Sequence, residues 1–208
     1  MALLMVHLLA ARQWVRARGA ELDVPDFYLG AISPDAIHVR DHDDKSHKNE
    51  IHLNNWMVPH PDDVIAYWRE HHTPFDIGYG VHVLTDGQWV QRYKARFPQL
   101  ILPTGRVDPK IYYHDTFITD FQLYDHREGD ALFRLVERGN APANHPLLTQ
   151  YEISEWQKMM IAAYHEGCKE TGEAKYLDEG YCLDFIDACQ PLIEETYERA
   201  LAQRRNEA

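Results

Sequence analysis

The stretch GYGVHVLTD, residues 78–86, decides how this chain is read. It sets His82 and Asp86 four positions apart among valines, a leucine and a tyrosine. On a helix, positions i and i+4 lie one turn apart on one face. Both groups are costly to bury without a partner. Such a pair in an apolar stretch asks either for a mutual hydrogen bond or for something held between them. Gly78 and Gly80 precede the histidine. Each glycine costs about 1 kcal/mol inside a helix, a cost that close packing of another backbone would offset.

Ile77, Val81, Leu84 and Trp89 roughly keep a 3.6 period, so the spacing predicts a long helix from about 75 to 96, restarted by Thr73 or Pro74. HPDDVIAYWREHH reads as another helix, with Pro61 in its first turn and acidic residues after it. Residues 2–18 read as an amphipathic first helix ended by Gly19. In DVPDFYLGAISPD, Pro25 permits a new start capped by Asp23, and Pro34 interrupts it after a short apolar turn. Residues 40–58 are polar, histidine-rich and without period, which predicts a long loop of the functional or mobile kind.

Downstream, LILPTGRVDPK reads as a loop, and residues 110–138 as one broken or two short helices with Gly129 as the break. RGNAPANHP is a loop, and Asn144 or Thr149 is the candidate cap for the next helix. Helices over 148–170 and 178–204 are separated by ETGEAKYLDEG, and RALAQRRNEA closes the chain as a solvated tail. Strand alternation, repeats and low complexity are not evident. The expected fold is all-α, a single-domain bundle of six or seven helices over residues 1–208.

Hydrophobic residues make up 45% and charged residues 26% of the 208, the balance of a globular protein. No segment approaches the roughly 18–20 apolar residues that cross a bilayer. In MALLMVHLLAARQWVRARG the apolar run precedes Arg12, Arg16 and Arg18, the reverse of an export signal. The expected location is therefore cytoplasmic. A net charge of -12 weighs against a broad nucleic-acid surface. It leaves room for a small phosphorylated substrate held through metal ions, because bound cations invert the local field. Cys168, Cys182 and Cys189 lack metal-knuckle spacing and read as buried, reduced thiols. Nothing in the sequence fixes the oligomeric state.

Thirteen histidines are the compositional oddity, eight of them between positions 38 and 82. His71 and His72 read as solvated. His7 and His82 sit among apolar neighbours and do not. His7 on the first helix, Asp35 after Pro34, the loop histidines His38, His42, His47 and His52, and the pair His82 and Asp86 form a candidate constellation. Imidazole and carboxylate together suit zinc, manganese or iron. Taken singly, each has a plain structural reading: a hydrogen-bonded core pair, a turn residue, a satisfied core histidine, solvated loop histidines. One bound cation accounts for them together. A second cluster, YYHDTFITDFQLYD, offers His114, Asp115 and Asp120 as site wall or proton acceptors. Its adjacent His114-Asp115 also admits a rival, an HD-type phosphohydrolase centred there.

In order, an N-terminal histidine, LGAISPDAIH, a loop histidine and GYGVHVLTD resemble the zinc-dependent phospholipase C family, over roughly residues 5–90. That family is all-α and includes single-strand nucleases and small bacterial hydrolases. The resemblance implies a first zinc on Asp35, a loop histidine, His82 and Asp86. His52 is the choice for the loop position, flanked by Ile51 and Leu53, with His47 in reserve. His7 would hold a second ion with Asp86 bridging. The family's later His-x-x-x-Glu pair is absent after Asp86, and His114, Asp115 and Asp120 are the candidates to replace it. The implied cofactor is one to three divalent ions, and the implied activity is hydrolysis of phosphate esters by metal-activated water. Asp115 or Asp120 would accept the proton, His38 would line the site, and Arg40 would hold a phosphate oxygen. The competing alternative is a metal-binding helical domain without catalysis.

Overall fold

The computed structural model describes residues 3–42 and 46–207; Met1, Ala2, residues 43–45 of the expected loop and Ala208 of the expected tail lie outside it. Among the described residues there are ten α-helices. In chain order they are α1 (Leu4–Arg18), α2 (Pro25–Gly30), α3 (Ile37–Asp41), α4 (Lys48–Ile51), α5 (Pro61–Glu70), α6 (Pro74–Arg96), α7 (Pro109–His126), α8 (Gly129–Arg138), α9 (Gln150–Glu166) and α10 (Glu179–Glu207). Short 3-10 turns cover Ala20–Leu22, Ser33–Ala36 and Pro98–Leu100. Among the described residues the β-pairing is an isolated bridge between Ile101 and Val107. The all-α expectation holds, with more helices than the six or seven expected. The surplus is short: α3 and α4 have too few turns for a periodicity to register, and α4 lies within the stretch expected as a loop, whereas α2 is the new start expected at Pro25. The last helix also runs into the expected tail, to Glu207.

Helix α6 is the axis. A capping box starts it, with Thr73 Oγ1 accepting from the Asp76 amide (3.3 Å) and Asp76 Oδ2 accepting from the Thr73 amide (3.0 Å). Pro74 sits in its first turn, where the missing N–H is no loss. From Phe75 to Gly87 every residue is buried, the mark of a helix enclosed on all sides by others. Its glycines let neighbours in. A Cβ on Gly78 would lie 2.0 Å from the Phe27 carbonyl oxygen of α2, and one on Gly30 of α2 would lie 2.1 Å from the Phe75 carbonyl oxygen. Backbone meets backbone here. Gly80 differs: it faces the Trp68 indole of α5, whose Nε1 donates to the Asp76 carbonyl (3.0 Å).

Helices α1, α2, α5 and α10 pack on this axis, while α7 packs on α1, α8 on α2 and α9 on α8 and α3, all joined in one apolar core that includes Trp14, Phe27, Trp68, Tyr79, Trp89 and Phe185. The expected break at Gly129 is present: α7 ends at His126, and a Cβ on Gly129 would strike the Tyr124 carbonyl at 2.3 Å. Thr149, not Asn144, caps α9, again through a capping box, with Glu152. Cys182 and Cys189 are buried as expected, whereas Cys168 is exposed at the end of α9. Among the described residues no helix is long and apolar enough to cross a membrane.

Candidate metal centre

Gly78, His82 and Asp86 form one stripe on α6, each a turn from the next. The close approach of α2 at Gly78 brings the Ala31 carbonyl over His82, and His82 Nδ1 donates to it at 2.9 Å. That bond fixes the tautomer: Nδ1 carries the hydrogen, so Nε2 presents its lone pair. The chain leaving α2 then turns through Ser33–Ala36. Ser33 Oγ donates to the Leu29 carbonyl (2.7 Å), and Trp156 Nε1 of α9 donates to the Ile32 carbonyl (2.9 Å). This pinned turn delivers Asp35, which is 4% exposed. His52 comes directly after α4. Its Nδ1 donates to the Lys48 carbonyl at 3.0 Å, leaving Nε2 as the free lone pair.

Asp35, His52, His82 and Asp86 offer ligand atoms that all lie within 4.8 Å of one another, and all four residues are buried. His52 Nε2 is 3.4 Å from Asp86 Oδ2 and 3.8 Å from Asp35 Oδ1; His82 Nε2 is 3.8 Å from Asp35 Oδ2. These spacings are long for hydrogen bonds. They approach the separation of about 3.3 Å between ligand atoms that tetrahedral bonds of about 2.0–2.1 Å would set. Neither His52 Nε2 nor His82 Nε2 has a hydrogen-bond partner although both are buried. Four electron-pair donors thus converge in one group that could hold a metal ion.

His7 stands beside this group. Its Nε2 is 3.5 Å from Asp86 Oδ1, and its ring stacks on that of His82 with centroids 3.7 Å apart. Its two ring nitrogens make no hydrogen bond within the usual limits.

One buried cation is already present. Lys48 is 2% exposed, and its Nζ lies 3.2 Å from Asp35 Oδ1 and 3.6 Å from Asp86 Oδ2. Burial alone would lower its pKa, but Asp35 and Asp86 raise it. Burial would raise the Asp35 carboxyl, yet Lys48, then His82, hold it below the usual range. Burial, with Lys48 adding to it, lowers His52. Burial and then His7 lower His82 further. These directions favour neutral His52 and His82, ionised Asp35 and Asp86 and a protonated Lys48 near neutral pH. Reading the sequence missed Lys48, because a lysine in a polar, aperiodic segment looks solvated.

The remaining candidates lie elsewhere. Asp120 of α7 accepts from the Leu4 and Met5 amides (3.2 and 2.9 Å) and from the Tyr164 hydroxyl (2.6 Å). It caps α1 and so positions the helix that carries His7. Burial pushes its pKa up to about 6 against the pull of those bonds. Asp115 Oδ2 accepts from the Tyr176 and Leu177 amides (2.7 and 3.2 Å), tying down the segment before α10. Neither belongs to the group of four, and both carboxylates are engaged by backbone amides. His114, 3.5 Å from Asp115 Oδ1, is partly solvent-facing. Arg40 is also engaged within the fold. Its guanidinium grips Glu152 through Nε (2.5 Å) and Nη2 (3.0 Å), joining α3 to the start of α9. His38 bonds the His42 carbonyl (3.0 Å) and lies against Trp156 rather than among the four. His47 is half exposed and pairs with Asp41 at 3.0 Å, so the loop histidine in the group is His52.

Comparison of the chain with protein-family models, with curated proteins and with solved structures gave no match.

Proposed function

We propose that this chain is a metal-dependent hydrolase acting on phosphate esters, with Asp35, His52, His82 and Asp86 as the ligands of its ion. The observation that carries the reading is the convergence of two unbonded imidazole Nε2 atoms and two carboxylates in one buried group. Thiolates are absent from the set, which suits zinc, manganese or iron in a reactive site more than a purely structural zinc. When bound, such an ion supplies a Lewis acid and a water acidic enough to ionise near neutrality. The chain's own part is to hold the ligands rigidly. Backbone carbonyls of Ala31 and Lys48 fix both imidazole tautomers, and Asp120 seats the helix bearing His7. The resemblance of the motif order to the zinc-dependent phospholipase C family points to the same reaction class.

A second reading has an observation of its own. The four ligand residues are buried, with Asp86 and His52 at 0% exposure, as in a closed structural site. A metal-binding helical domain without catalysis would look so. One experiment separates the two: zinc- or manganese-loaded protein is assayed on a panel of phosphomonoesters, phosphodiesters and phospholipids, beside His82→Ala. The proposal expects turnover that is abolished by chelation, restored by metal and lost in His82→Ala. Bound metal with no turnover on any of the three classes would favour the structural ion.

A further inference from the structure

We propose that the Lys48 ammonium is a built-in second cation of this centre, so that the site takes one divalent ion where Asp86 and His7 would otherwise help to hold another. The proposal rests on the metal reading above. Lys48 Nζ lies 3.2 Å from Asp35 Oδ1 and 3.6 Å from Asp86 Oδ2, the two carboxylates of the group. Its other face meets the Trp56 ring, 4.7 Å from the centroid, a favourable seat for a desolvated ammonium. The same residue's carbonyl accepts from His52 Nδ1 at 3.0 Å. One residue therefore orients a ligand through its backbone and faces both carboxylates with its side chain. Withdrawing that side chain to solvent would expose a stem that is now 2% exposed and leave its seat on the Trp56 ring.

Position limits the count. Lys48 Nζ faces both carboxylates of the group, and a second divalent ion beside it would meet a like charge in a buried space, where repulsion is strong. Asp86 lies beside both Lys48 Nζ and His7 Nε2, so an ion shared by Asp86 and His7 would sit close to the ammonium.

The test is zinc stoichiometry by native mass spectrometry, with affinity from competitive titration, on the full chain as wild type and Lys48→Met; circular dichroism checks that the variant is folded. The expected result is one zinc in the wild type. Lys48→Met should bind its first zinc about tenfold more tightly or accept a second. Two zinc ions in the wild type, or a folded Lys48→Met with unchanged number and affinity, would overturn the proposal and leave the metal reading standing. No zinc in either protein removes the metal reading, and this proposal with it. Zinc in Lys48→Met alone also overturns it, since Lys48 would then be the sole cation. Should Lys48→Met not fold, Lys48→Arg takes its place: it keeps the charge and should keep the count at one, and a second ion there would contradict the proposal.

Discussion

His145 shows how a single side chain sets a measurable property far from the metal centre. Its Nδ1 accepts from the Leu147 and Leu148 amides (3.3 and 3.2 Å), and its Nε2 donates to the Tyr67 hydroxyl (2.9 Å), which donates to Asp76 Oδ1 (3.0 Å). A proton on Nδ1 would face two N–H groups. Burial, the largest cause, lowers its pKa to about 4. The folded value lies below the ordinary 6.5, so the contribution is fully present above 6.5 and is lost as pH falls toward 4. Residual solvent access reduces the effect, leaving about 2 kcal/mol. Urea unfolding of the wild type and His145→Gln from pH 7 to 4 should show the wild type losing about that much relative to the variant. A constant difference across the range would contradict the neutral, buried ring.

Among the elements, the contact between α2 and α6 matters most for the site, because it carries the Ala31 carbonyl onto His82. Gly78→Ala would drive a Cβ into the Phe27 carbonyl oxygen, 2.0 Å away, and backbone cannot yield as a side-chain tip does. Overpacking of this kind costs about 1–3 kcal/mol. The expected outcome is destabilisation of that size together with at least tenfold weaker metal binding, measured by denaturation and by competitive titration. Unchanged metal affinity in a destabilised Gly78→Ala would separate the glycine from the site. Much of this is legible in the sequence. The long helix through residues 78–86 is implied by its apolar period and the Thr73-Pro74 start, and the glycine pair points to a close neighbour. Asp35, His82 and Asp86 are readable as candidate ligands, since each is costly to bury alone, and His52 as one of several loop histidines that the resemblance singles out. What the sequence hides are partnerships across the fold. Asp115, Asp120 and Arg40 look like site chemistry in the sequence. Only the packing of α7 against α1 and against the segment before α10, and of α3 against α9, reveals that amides and Glu152 occupy them. Lys48 is hidden for the converse reason, because a four-residue helix leaves no period to mark it as inward.

Across the molecule, the candidate ligands come from the turn after α2, the end of α4 and the middle of α6, with His7 of α1 beside them. An ion bound there would cross-link segments that are far apart in the chain and would bind the folded state alone. Linkage then requires stability to rise with metal, by about 4 kcal/mol when free metal is a thousandfold above Kd. Thermal unfolding with excess chelator and with excess zinc should differ by several degrees, and His82→Ala should lose that difference. An equal Tm in both conditions would argue against an ion at the core of the fold. That two imidazoles and two carboxylates bind one ion is best checked by X-ray absorption on the zinc-loaded protein after desalting. The expected spectrum shows retained zinc with nitrogen and oxygen neighbours at about 2.0–2.2 Å and outer-shell scattering from two histidine rings. Zinc lost on desalting, or retained without imidazole scattering, would contradict it.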